Sequence, residues 1–129
     1  YRLAPGHSAN EVLQHAVDAT RGLGVHIDWV QPPYDPSPVS SVTSDGYRII
    51  AAAATDGGRL PVAPGLVNAT TDSRSFAGLA RDVYRFQPLV ASLRDLEMIH
   101  GTNEHLTLDN LRRMTEFYAQ VIATAAQLN

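Results

Sequence analysis

The sequence predicts an α/β chain in two unequal parts. Three observations lead there: capped stretches with apolar residues at helical spacing, short apolar runs that alternate with polar residues or stop at prolines, and one proline-rich interval. The 129 residues are 44% apolar and 18% charged, which suits one packed domain and argues against disorder. A formal charge of -3, with scattered basic residues, argues against a nucleic-acid partner. Cysteine is absent, so disulfides and thiolate metal sites are excluded. The compartment stays undecided, with the cytoplasm favoured. No apolar run approaches the ~18 residues of a membrane span, so no membrane role is expected.

Taken in order, Tyr1-Arg2-Leu3 reads as the tail of a strand ended by Pro5-Gly6. Ser8 and Glu11 form an S-x-x-E capping box, which satisfies orphan amides at a helix start. Val12, Leu13, Ala16, Val17 and Thr20 follow at helical spacing, and Gly22 and Gly24 end the helix. Val25 to Val30 alternates apolar with polar, as a half-buried strand does. Residues 1–31 thus read as strand–helix–strand, too little to bury their own sheet. Residues 32–43 hold Pro32, Pro33, Pro36 and Pro38 among serines, an extended connector containing a domain boundary.

Residues 44–129 form the second part. Ser44-Asp45 caps a helix carrying Tyr47, Ile50, Ala51 and Ala54, stopped by Gly57-Gly58. Leu60 to Val67 is apolar but broken by Pro61, Pro64 and Gly65, an edge strand or strand–loop. A short helix starts near Asp72, Val83 to Phe86 reads as a strand, and Ser92 to Asp95 caps a single turn. The last helix begins at Thr107 and carries Leu108, Leu111, Met114, Phe117, Tyr118, Val121, Ile122 and Ala125 on one stripe. The chain opens at Tyr1 without a methionine and on what reads as mid-strand, so it is expected to be part of a longer polypeptide.

Two loops carry candidate chemistry. Thr70, Thr71, Asp72, Ser73 and Arg74 place hydroxyls and a guanidinium at a helix start, a combination suited to a carboxylate or phosphate. An ion pair of Arg74 with Asp72 is the plainer reading. Asn68-Ala69-Thr70 matches a glycosylation sequon, a frequent chance match. His7, His15, His26 and His105 have no ligand partner at metal spacing and read as ordinary surface or packed residues. His100 lies between Ile99 and Gly101, where the backbone can approach closely. A lone histidine makes no zinc site. Glu104 offers either a second ligand or a charge complementing the dipole of the last helix.

Asp72-Ser73-Arg74, Val83-Tyr84-Arg85-Phe86 with Pro88, and Ile99-His100-Gly101-Thr102-Asn103-Glu104, in this order and spacing, resemble the C-terminal part of the carboxypeptidase S-like zinc metallopeptidases. That superfamily includes the aminoacylases. The resemblance implies that residues 1–31 are the second half of a ferredoxin-like lid and dimerisation domain. It likewise implies that residues 44–129 are the C-terminal portion of an α/β catalytic domain.

The resemblance further implies a hydrolase with two zinc ions that cleaves an amide next to a free C-terminal amino acid, in a peptide or an N-acyl amino acid. His100 matches the last metal ligand and Arg74 the arginine that grips the substrate α-carboxylate. Thr71 and Ser73 fall among the hydroxyls beside it, while Asn103 and Glu104 could brace the metal ligand. No catalytic residue is assigned within this segment. The general base and remaining ligands would come from the missing N-terminal half of the same polypeptide, and a second copy would complete a homodimer. The isolated chain is accordingly expected to be inactive. Ala69-Thr70 stands where relatives often carry glycine, and Ser75 where they carry a bulkier residue. The alternative is a non-enzymatic α/β dimerisation or binding module derived from that family.

Overall fold

The computed structural model describes residues 2–67 and 69–128. Tyr1 of the expected first strand and Asn68 of the sequon lie outside them. Helix α1 spans Ala9–Ala19, α2 Asp45–Ala54, α3 Leu93–Glu97 and α4 Leu108–Ala125, with a 3₁₀ helix at Asp72–Phe76. Each starts on a hydroxyl cap. Ser8 accepts from the Glu11 amide while the Glu11 carboxylate accepts from the Ser8 amide at 2.7 Å, completing the capping box of α1. Ser44 caps α2, Thr71 the 3₁₀ helix and Thr107 α4, each through a side-chain oxygen accepting a backbone N–H. Gly22 and Gly24, at φ 85° and 67°, turn the chain after α1 in a conformation that costs glycine nothing.

Helix α3 is five residues long, so its cap carries much of its stability. Asp95 accepts hydrogen bonds from both the amide and the hydroxyl of Ser92. The Ser92 backbone N–H first, and then its hydroxyl, hold the Asp95 carboxyl below its ordinary 3.8, with His105 and Arg94 adding a smaller attraction. A carboxylate with a depressed folded-state pKa stabilises above its unfolded value and loses that contribution as pH falls through the folded one. Helix α3 should therefore loosen as the solution is acidified below pH 3.8, seen as faster exchange of its amides. Asp95→Asn should remove the step, and an unchanged pH response in that variant would contradict the assignment.

The described chain forms two compact units, Tyr1–Ser40 with Leu66–Val83, and Ser41–Gly65 with Tyr84–Asn129. In the first unit, Asp35 of the proline connector accepts the Ala9 amide at 2.8 Å, satisfying an orphan donor of α1. Ser40 Oγ accepts the Val83 N–H at 2.8 Å and donates to the Val83 carbonyl at 2.9 Å. In the second unit α2 packs on α4. Phe117, 6% exposed, meets Phe86 with ring centroids 5.2 Å apart, and the Tyr118 hydroxyl donates to the Phe86 carbonyl. Asn110, also buried, grips Val90: its Oδ1 accepts the Val90 N–H at 3.0 Å and its Nδ2 donates to the Val90 carbonyl at 2.9 Å.

The expected α/β architecture, with half of a ferredoxin-like lid and part of an α/β catalytic domain, is overturned. Among the described residues there are four α-helices, one 3₁₀ helix and no strand. Alternation at 25–30 and the apolar runs at 60–67 and 83–86 specify faces, but a sheet also needs a second backbone alongside. These segments run as irregular backbone instead. Two backbone positions that a neighbouring strand could have served, Val83 and Val90, are served by the Ser40 and Asn110 side chains. Without a sheet to cover them, Val30, Leu79, Leu93 and Leu108 are all exposed.

Candidate functional site

His100 ends the turn that follows α3. Its φ of 61° is left-handed, a conformation adopted by only a few per cent of non-glycine residues, among which histidine is enriched along with asparagine and aspartate. Two features hold it there. The Glu104 carboxylate accepts the His100 amide at 3.0 Å. The Gly101 amide donates to the Met98 carbonyl at 2.8 Å, so close that a Cβ on Gly101 would lie 3.2 Å from that oxygen. Asn103 is left-handed too, at φ 63°, and its carbonyl lies 2.7 Å from His105 Nδ1, a pairing that requires Nδ1 to carry the proton. Glu104 thus holds the loop through the backbone amide of His100. The His100 ring is exposed and makes no hydrogen bond or ion pair among the described residues.

A cleft of about 680 Å³ opens beside this turn, walled by Leu89, Leu96, Ile99, Leu106 and Met114, with Glu104 and His105 also lining it. Asn110 contributes to its wall and fastens the Val90 segment that forms another side.

The second candidate group lies in the other unit, on the 3₁₀ helix. Thr71 accepts the Ser73 amide at 3.3 Å, and the two hydroxyls are hydrogen-bonded to each other. The Thr71 carbonyl accepts the Arg74 amide at 3.2 Å. The Arg74 guanidinium does not pair with Asp72; it lies over the Tyr34 ring, 5.2 Å from the centroid. Tyr34 and Asn110 escaped the sequence reading. The signal for Tyr34 is slight, an aromatic residue set among prolines; Asn110 carries none beyond its place in the first turn of α4.

The model of peptidase family M20/M25/M40 matches residues 5–124. The chain belongs to this family. Among curated M20/M25/M40-type relatives, a probable carboxypeptidase S-like protein of Dictyostelium discoideum is 31% identical over 125 residues, covering 95% of this chain and 24% of the relative. An N-fatty-acyl-amino acid synthase/hydrolase of Xenopus tropicalis is 36% identical over 124 residues, covering 95% and 24%. A human protein of the same description is 29% identical over 131 residues, covering 97% and 26%. The chain spans about a quarter of the length of the curated relatives it matches. No solved structure matches it.

Whether the M20/M25/M40 chain could hold a metal is a question of donors. Among the described residues no three His, Cys, Asp or Glu side chains lie close enough together to bind one. Among the described residues of the second unit, His100 offers an exposed imidazole on a braced, left-handed turn, which fits one ligand of a site completed by other residues. Among the described residues no helix is long and apolar enough to cross a membrane.

Proposed function

We propose that this chain is the part of a zinc-dependent hydrolase that supplies the metal ligand His100 and the carboxylate-binding group Arg74, Thr71 and Ser73. The substrate is a peptide or an N-acyl amino acid with a free α-carboxylate. The observation that carries the reading is the His100 turn. A histidine is held at φ 61° by a carboxylate on its own amide and by a glycine packed against a carbonyl, within a chain of this peptidase family. Such strain persists only where surrounding structure enforces it, and it concentrates at functional sites.

Zinc, when bound, supplies carbonyl polarisation and a nucleophilic water near neutral pH. This chain's own contribution is positional. Glu104 fixes the backbone that aims the His100 ring, and the Thr71 cap fixes the turn that carries Arg74. Arg74 recognises the carboxylate by charge and by paired N–H donors. The general base and further metal ligands come from elsewhere in the same polypeptide. The exposed apolar side chains Val30, Leu93 and Leu108 support burial against that part or against a second copy.

The polypeptide as encoded should hydrolyse an N-acyl amino acid, lose that activity to a chelator and regain it with added zinc. Its carboxamide analogue should be a poor substrate. Chelator-resistant hydrolysis, or equal turnover of acid and carboxamide, would remove the proposal.

A further inference from the structure

We propose that Tyr34 is a positioning residue for Arg74, its ring holding the guanidinium ready for a substrate carboxylate. This rests on the reading of Arg74 given above. Both ends of the contact are rooted. Tyr34 sits between Pro33 and Asp35; the proline ring restricts the backbone, and Asp35 is tied to α1 through the Ala9 amide at 2.8 Å. Arg74 rises from the 3₁₀ helix, its amide donating to Thr71 at 3.2 Å.

The chemistry of the contact matters more than its strength. An aromatic face attracts a cation through its quadrupole but offers no lone pair, so the five N–H donors of the guanidinium are not consumed. An ion pair with Asp72 would have neutralised the charge and occupied donors; among the described residues Arg74 makes no such pair. The result is a guanidinium kept charged, steered and free to donate in its own plane, which is what bidentate carboxylate recognition needs.

The test is binding of an N-acyl amino acid and of its carboxamide to the polypeptide as encoded, in the unaltered protein and in Tyr34→Phe, Tyr34→Leu and Arg74→Ala. Exposed contacts of this kind correspond to about a two- to fivefold change in affinity. Tyr34→Leu should weaken the acid by that factor and leave the carboxamide unchanged, while Tyr34→Phe should bind like the unaltered protein. Tyr34 is 72% exposed, so neither change disturbs a core, and circular dichroism checks the fold. Undiminished acid binding by Tyr34→Leu, or equal weakening of both ligands, overturns the assignment of Tyr34. If Arg74→Ala keeps the preference for the acid, the reading of Arg74 itself fails.

Discussion

Replacing His100 in the polypeptide as encoded should lower hydrolysis of an N-acyl amino acid at least about a hundredfold. Losing a group that merely supports a metal ligand already costs about 10–100-fold, and a ligand itself does more. The choice of replacement matters, because His100 occupies left-handed backbone at φ 61°. Alanine would add backbone strain to the loss of the imidazole, whereas asparagine tolerates that region. His100→Asn therefore isolates the chemistry: the turn, with its Glu104 clamp on the backbone amide, survives while the imidazole is lost. The expected signature is an intact fold, lower zinc content and collapsed turnover. A variant that keeps half its activity and all its metal would show that His100 is not a ligand.

The largest expected effect on stability belongs to Asn110→Leu. The side chain is 7% exposed and makes both hydrogen bonds of Val90, at 3.0 and 2.9 Å. Leucine is similar in size but leaves a backbone donor and a backbone acceptor without partners. Each part-buried orphan costs about 1–3 kcal/mol, so a loss of about 2–6 kcal/mol is expected. That is a large share of the ~5–15 kcal/mol typical of a domain. Asn110→Asp is the sharper companion, because a carboxylate could still accept from the Val90 amide but could only repel its carbonyl. Urea denaturation of the three proteins measures the difference. Equal midpoints for Asn110 and Leu would mean that water serves Val90 just as well.

The helices were legible because their signals are local. Ser8 with Glu11, Ser44, Ser92 with Asp95, and Thr107 each make the cap their spacing implies, within three residues of themselves. The strands were misread for the opposite reason. Alternation at Val25–Val30 describes one segment, and pairing is a property of two. The candidate loops were legible as composition, since Arg74 among hydroxyls and His100 before Gly101 stand out in the chain. Their geometry was not. Nothing in Ile99-His100-Gly101 announces that the histidine, rather than the glycine, takes the left-handed backbone, and Tyr34 stands forty residues from the arginine it touches.

The side-chain grips of Ser40 on Val83 and Asn110 on Val90 have a consequence for how this chain can vary. A strand ladder is a seam: slipping it by one residue turns every side chain to the wrong face. A grip by one hydroxyl or one carboxamide is a button, indifferent to the length of cloth on either side. Connections can then lengthen or shorten at little entropic cost, since doubling a flexible loop adds only about 0.6 kcal/mol. Insertions around these joins are tolerated, while substitution of Ser40 or Asn110 removes the grip itself.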